Sequence, residues 1–114
     1  MSFFDSEIVQ NEIAEIHNMQ AEIITMIPKL PFLMQDEQVK YFDKMIDLVE
    51  KQKVFYMRLS LTDDPRAKQL QEEFKKAAIM LGMTSNTDQD LALLYESFKD
   101  SMYELRRKTI DGTL

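Results

Sequence analysis

Four carboxylate side chains in the first half of the chain have the spacing that a metal site requires. Glu12 and Glu15 stand three residues apart in one predicted helix, and Asp47 and Glu50 stand three apart in the next. Because residues three apart share a helix face, the two pairs could turn toward each other. Hard cations such as Mg²⁺ prefer oxygen ligands and often bridge them to substrate phosphates. These four residues define a possible Mg²⁺-dependent nucleotide hydrolase.

The sequence around these carboxylates fits that enzyme poorly. All-helical nucleotide pyrophosphatases, which the pattern resembles in part, carry Glu-Glu-x-x-Glu followed by Glu-x-x-Asp on the next helix. Here Asn11 stands at the first glutamate position, and the order of the second motif is reversed. Lysines alternate with the acids of the second pair, which is typical of a solvated helix face with local ion pairs. The hydrolase is therefore the alternative interpretation, and we expect no catalytic residue, metal or cofactor.

The sequence has few of the residues that other kinds of catalytic or cofactor site require. His17 is the single histidine, so the paired Glu-x-x-His motifs of di-iron bundles do not occur. The chain has no cysteine, which excludes disulfides and thiolate metal sites. Both glycines, Gly82 and Gly112, fall at the ends of predicted helices, so none remains for a phosphate-binding loop.

Two charged side chains fall within the apolar faces of their predicted helices. Glu12 lies among the apolar residues of the first helix, and Lys53 lies among those of the second. A buried charge is unfavourable unless it is paired. We predict a structural ion pair between Glu12 and Lys53 that fixes the register of the two helices. The alternative is that both side chains extend to solvent at the edge of the domain.

The prolines and glycines define the helices that carry these residues. All five lie between or after stretches with helical apolar periodicity: Pro28, Pro31, Pro65, Gly82 and Gly112. They predict one helical domain, residues 1–114, with helices at about 5–27, 36–61, 65–81 and 88–109. Asp5 or Ser2 caps the first helix, and Asp64 caps the third. We expect an all-α, antiparallel four-helix bundle-like domain with helices alternating up and down.

The predicted second helix is apolar on two sides. Besides its main face it carries a second stripe of residues seven apart, Tyr41, Leu48 and Phe55. Such a helix is either central in the fold or shared with another chain, and we predict a homodimer through this stripe. The connection at residues 28–34 is also unusually apolar. Its Phe32 and Leu33 either cover one end of the bundle or add to the interaction surface.

Charge and hydropathy limit the partners and the location of the protein. The formal net charge is −6, and residues 1–28 contain five acidic residues but no Lys or Arg. Because nucleic-acid affinity depends on neutralising phosphates with Lys and Arg, we expect no nucleic-acid partner. The basic run at residues 106–108 falls in the last turn of a helix, where cations complement the helix dipole. No apolar run approaches the roughly 18 residues of a membrane span, and we predict a cytoplasmic protein without membrane contact.

Two segments of the chain resemble a known family. Residues 3–10, FFDSEIVQ, and residues 55–70, FYMRLSLTDDPRAKQL, are similar to a family of small uncharacterised proteins of cyanobacteria and cyanophages. The resemblance covers residues 2–83, and because the family carries a domain-of-unknown-function label, it implies no catalytic residues. It implies a cytoplasmic protein of a photosynthetic host, a phage auxiliary or host-modulating protein. We therefore expect a small non-enzymatic interaction module that binds a host or phage protein.

The two similar segments also allow physical predictions. Phe3 and Phe4 precede the predicted cap of the first helix, where they either fold back on Ile8 or Val9 as a hydrophobic staple or dock on a partner. Arg58 stands near the turn before the third helix, and we predict an ion pair with an aspartate of that turn.

Overall fold

The protein is described here from a computed structural model covering residues 3–83 and 91–112, and within these ranges it contains helices and no strand. Four α-helices are present there: α1 (Glu7–Met26), α2 (Gln35–Leu59), α3 (Pro65–Met80) and α4 (Leu91–Asp111). Two short 3₁₀ helices, Phe3–Asp5 and Ile27–Phe32, stand before and after α1. The all-α prediction is therefore confirmed, and the predicted start of the fourth helix at residue 88 lies outside the described residues.

The first helix starts one residue later than a cap at Asp5 would place it. Ser6 has an extended backbone (φ −72°, ψ 129°), and its hydroxyl accepts a hydrogen bond from the backbone N–H of Val9. Asp5 instead ends the first 3₁₀ helix, so it is not free to take the extended conformation of a cap. The other predicted cap, Ser2, lies outside the described residues.

The bounds of α3 follow from three residues that the sequence places at its ends. Asp64 is extended (φ −66°, ψ 127°) and accepts a hydrogen bond from the backbone N–H of Arg66. Pro65 occupies the first turn, where its missing N–H removes no helical bond. Gly82 ends the helix with a φ of 93°, a left-handed conformation that glycine adopts without strain. The predicted cap and terminating glycine are confirmed.

The central helix is α2, which packs most extensively against α4 and also against α1 and α3. It runs antiparallel to α4, because Asp43 lies beside Arg106 near one end and Lys53 lies beside Glu96 near the other. The predicted up-and-down alternation is wrong, since it would make α2 and α4 parallel. The helix α3 packs much less extensively against α2 than α4 does, and α4 begins beside the C-terminal half of α2, where Tyr95 lies against Tyr56.

The helices form a thick layer rather than a closed bundle. The principal extents are 50 × 31 × 19 Å and the radius of gyration is 15.2 Å, whereas a spherical domain of this length has a radius of gyration of about 13 Å. The helices α1 and α4 flank α2 and, among the described residues, scarcely touch each other. One side of α2 therefore stays open between them. None of the described helices has the length and apolar character needed to cross a membrane.

The core surrounds α2 and includes the stripe that predicted a dimer. Tyr41, Leu48 and Phe55 are 5%, 0% and 1% exposed. These residues therefore belong to the core, and they do not form the interaction surface that the sequence predicted. A helix apolar on two sides proves to be central in the fold, because the neighbouring helices of the same chain cover both sides.

The apolar connection after α1 divides into a covered and an exposed part. Ile27 and Leu30 pack against the core, and the side-chain amide of Gln38 donates a hydrogen bond to the carbonyl of Leu30. Phe32, in contrast, is 87% exposed, and Leu33 is half-buried. The segment thus covers one end of the molecule and also presents an aromatic side chain to solvent.

Candidate interaction site

Ion pairs fix the register between α2 and α4. Asp43 lies 2.6 Å from Arg106, and Glu50 lies 2.8 Å from Lys99. The two pairs are separated by seven residues on each helix, which equals two helical turns. Lys53 then pairs with Glu96 at 2.7 Å, three residues further along both helices. The three pairs share one offset, so they specify one alignment of α2 with α4.

A second row of ion pairs joins α2 to the acidic helix α1. Lys44 pairs with Glu22, and Lys51 lies 2.6 Å from Glu15. Two carboxylates of the acidic helix α1 therefore bind cations of α2.

The predicted ion pair between Glu12 and Lys53 is wrong. Glu12 instead lies 2.5 Å from Arg58, and Lys53 turns away to Glu96 on α4. Arg58 follows Lys53 by five residues, so the two side chains leave α2 about 140° apart. Each charge is thus paired, but with a neighbour on a different side of the central helix.

The four carboxylates considered for Mg²⁺ do not form one cluster. Glu12, Glu15 and Glu50 each have a cationic partner, and Asp47 lies 4.0 Å from Lys51. In the described ranges, no group of three or more Asp, Glu or His side chains is arranged to hold a metal ion. Three of the four nevertheless line one groove.

That groove, the first groove, lies between α1 and α2. Its apolar lining consists of Ile16, Val54 and Phe55, and its rim is charged. Its volume of about 260 Å³ is below the roughly 300–1,000 Å³ of a typical small-molecule site. The space suits one or two inserted side chains better than a nucleotide.

A second groove lies across α2 from the first and shares Glu50 with it. It has a volume of about 280 Å³ between α2 and α4. The side chains that line it are Asp43, Ile46, Asp47, Glu50, Lys99 and Tyr103. The exposed side of α2 is therefore a ridge with a groove on each side.

We call that ridge the open face of α2, and its residues are regularly spaced. It consists of Asp43, Asp47, Glu50, Val54 and Met57 on the helix and Leu61 in the following turn. The steps between them alternate between four and three residues, which is the spacing of a seam that faces another helix. Its N-terminal half is acidic and its C-terminal half is apolar.

The carboxylates at this face are more exposed than the cations that pair with them. The side chain of Lys99 is 17% exposed, whereas that of its partner Glu50 is 46% exposed. The hydrogen bond that Lys99 donates to Glu50, followed by that to Glu96, raises the pKa of Lys99. Hydrogen bonds from Lys53 and then Lys99 lower the pKa of Glu96. These shifts favour the charged forms of Lys99 and Glu96, and the more exposed member of the Lys99–Glu50 pair is the negative one.

The two segments that carry the family resemblance meet at the C-terminal half of α2. The ring of Phe3 lies 5.7 Å from that of Phe55, and the guanidinium of Arg58 lies 5.3 Å from the Phe3 ring. Arg66 of α3 lies 5.0 Å from the ring of Phe4. The pair Phe3–Phe4 therefore packs on α2 and α3 of its own chain.

This cluster bears on two predictions about single residues. Phe3 and Phe4 fold back on their own chain, where they pack against Phe55, Arg66 and the core that includes Val9. Arg58 pairs with Glu12, because Phe3 and Phe55 hold its guanidinium on the α1 side of α2. Of the two aspartates of the turn that were its predicted partners, Asp63 and Asp64, the second binds Arg66.

Three side chains in the described part of the protein have buried polar atoms that lack a hydrogen-bond partner. Gln52 is 0% exposed, and neither its amide nitrogen nor its oxygen has a hydrogen-bond partner. The hydroxyl of Tyr95 and the amide nitrogen of Gln20 are also buried without a partner. Burial raises the pKa of Tyr95. Gln52 could have been found, because it stands seven residues from both Met45 and Leu59 on the buried side of α2.

The single histidine of the chain plays no part in this geometry. His17 is exposed on α1 and does not line either groove. The candidate site of the described structure is therefore the open face of α2 with its two grooves, and its chemistry is that of apolar contact and charge rather than of proton transfer.

Comparison with known proteins gives one match. A family model described as a domain of unknown function, DUF1825, matches residues 1–107. The match continues beyond residue 83, where the sequence resemblance ended, and includes most of α4. No curated protein matches the chain, and no solved structure matches it.

Proposed function

Since the chain belongs to the DUF1825 family, a family of domains of unknown function, we propose a function from its own surface. The protein is a small non-enzymatic module that binds another protein through the open face of α2. One observation carries this proposal: Val54, Met57 and Leu61 succeed one another on that face and are 48%, 51% and 87% exposed.

Exposed apolar residues at single positions are common, but a row of them beside a groove is not. Contiguous apolar surface on a folded protein is typical of an interaction site. Val54 also lines the first groove, so the row and the groove form one continuous surface. Ile8, 71% exposed near the start of α1, extends the apolar surface at the same end of the molecule.

The electrostatics of the site support binding rather than catalysis. A general acid or base usually stands in a cleft with its pKa moved toward neutral pH. Here the ion pairs move the pKa of Glu96 down and that of Lys51 up, away from neutrality. The charges of the site are held in structural pairs, and the surface between them is available for contact.

The partner and the setting are part of the same proposal. The resemblance of residues 3–10 and 55–70 to proteins of cyanobacteria and cyanophages supports a host or phage protein in the cytoplasm as the partner. The homodimer stays a prediction, and the stripe that suggested it, Tyr41, Leu48 and Phe55, lies in the core.

The proposal is tested by affinity capture from a cyanobacterial extract with three forms of the immobilised protein. We expect the wild type to capture a partner that Leu61→Asp loses. Met80→Asp is the matched control, because Met80 is an exposed apolar residue on α3 (62%), away from the open face. Equal capture by all three forms, or capture lost equally in both variants, would contradict the proposed surface.

A further inference from the structure

We infer that the partner bound at the open face of α2 is a basic amphipathic helix. This inference rests on the proposed function and specifies the chemistry of its partner. It is drawn from the spacing of the exposed residues, from the two grooves, and from the distribution of charge and apolar surface along the ridge.

The spacing of the open face favours a helical partner. Its residues alternate at steps of four and three over 19 positions, from Asp43 to Leu61. Such a row meets the side chains of a second helix that has the same spacing, because both place one residue at the seam in each turn. The grooves on the two sides, about 260 and 280 Å³, offer space for side chains that flank the seam. An amphipathic helix lying in such a groove is a recurrent mode of recognition.

The charge of the site favours a basic partner. The linings of the two grooves together contain five carboxylates, Glu12, Glu15, Asp43, Asp47 and Glu50, and two ammonium groups, Lys51 and Lys99. Arg58 and Arg106 bind Glu12 and Asp43 from outside these linings. Asp47 is the most open of the acids, with a side chain 60% exposed and only the 4.0 Å contact to Lys51.

The arrangement along the ridge argues against a second copy of the same chain. In a two-fold symmetric dimer the same patch must complement itself. If the two ridges ran parallel, Asp47 would face its own copy, and the like charges would repel. If they ran antiparallel, the acidic half would cover the apolar half, and Asp47, which has only the 4.0 Å contact to Lys51, would lose its water against Met57. A partner with apolar residues at one end of its seam and Lys or Arg at the other satisfies both halves.

The probe for this inference is a synthetic, fluorescently labelled helical peptide of about 20 residues. Its seam carries Leu at three successive positions of the four-and-three spacing and Lys at the next three. The matched peptide carries Glu in place of Lys. We expect the full-length protein to bind the Lys peptide at least about tenfold more tightly than the Glu peptide, with a preference that shrinks as salt is added.

Substitutions in the protein assign the effect to the open face. Asp47→Lys should weaken binding of the Lys peptide about tenfold or more, because a repulsive charge replaces an attractive one. Asp100→Lys makes the same charge change at an exposed position on the outer side of α4 and should leave binding unchanged. Met57→Asp should remove the apolar contact and weaken both peptides, whereas Met80→Asp should not.

The outcomes separate this inference from the proposed function. Equal binding of the Lys and Glu peptides, or an Asp47→Lys protein that binds like the wild type, would overturn the basic partner. If a partner captured from extract still depended on Leu61, the interaction function would stand without it. A protein with the mass of two chains in light scattering, reduced to one chain by Met57→Asp, would overturn the inference in favour of self-association.

Discussion

The buried face and the open face of α2 lie on one helix but differ sharply in exposure. The buried face includes Phe55, which is 1% exposed, and the open face includes Met57, which is 51% exposed, although the two residues stand only two positions apart. Both faces have regularly spaced apolar residues. The difference arises from the neighbours: α1, α3, α4 and the Phe3–Phe4 pair cover one face, and no described element covers the other.

Apolar periodicity identifies a helix face that packs against something, but it does not show whether the same chain or another chain covers that face. The stripe Tyr41–Leu48–Phe55 was assigned to a second chain, yet it is satisfied within the molecule. The row from Asp43 to Glu50 was interpreted as a solvated face, yet it continues into the exposed apolar residues Val54 and Met57. The exposed apolar residues of α2 therefore lie on the face that the helix pattern marks as solvated.

The sharpest test of the comparison is to truncate one apolar residue on each face. Phe55 packs against Phe3 and Phe74, with ring centroids 5.7 and 5.9 Å away. We expect Phe55→Ala to lower the free energy of unfolding by about 3–5 kcal/mol, since it leaves a cavity. Met57→Ala is expected to change it by no more than about 0.5 kcal/mol. Urea unfolding followed by circular dichroism measures both, and similar losses in the two variants would remove the distinction between the faces.

A second test uses the polar residue on the buried face. Because Gln52 has both polar atoms buried without partners, Gln52→Leu should raise the free energy of unfolding by about 1–2 kcal/mol, as the desolvation penalty disappears. The control is Gln69→Leu, an exposed glutamine of α3 that should have little effect. A clear destabilisation by Gln52→Leu in urea unfolding would contradict the assignment of Gln52 as an unsatisfied core residue.

The smallest effect on stability is expected from the ion pairs of Glu96, at the boundary between the open face and α4. Hydrogen bonds from Lys53 and Lys99 lower the pKa of Glu96 below its usual value of 4.5. The folded state therefore binds this proton less readily than the unfolded state, so the stability from Glu96 is present above the unfolded pKa and is lost as the pH falls through the folded one. The urea midpoint of the wild type should fall as the pH is lowered from about 6 to about 3.

Glu96→Gln provides the check on that pH dependence. It should lower the midpoint near pH 6 and flatten the fall in acid, since the amide cannot titrate. Glu73→Gln, at an exposed position of α3, should leave the profile parallel to that of the wild type. If Glu96→Gln gave the same profile as the wild type, the ion pairs at this boundary would contribute nothing to folding.

The sequence predicted the helices well because their ends depend on local chemistry. Pro65 and Gly82 set the two ends of α3 through their own backbone preferences. Asp64 caps the helix by accepting a hydrogen bond from the backbone N–H of Arg66. The all-helical class follows from the same residues. These features need no knowledge of how the helices are arranged in space.

The ion pairs and the direction of α4 could not be predicted, because they depend on which helix lies where. A helical wheel shows where Glu12 and Lys53 project from their own axes, but it does not show that α4 stands beside Lys53 and brings Glu96 to it. The helix α4 begins beside the C-terminal half of α2, and no local residue pattern specifies that placement. The first groove depends in the same way on how α1 lies against α2.

The antiparallel contact between α2 and α4 also sets an order of events during synthesis. Asp43 and Arg106, or Gln35 and the carbonyl of Thr109, are separated along the chain by the whole of α3. A ribosome that has made α1, α2 and α3 has therefore not yet made the principal partner of α2. Until α4 emerges, the apolar side of α2 that α4 covers in the folded protein is exposed. During this interval a chaperone could bind that apolar surface.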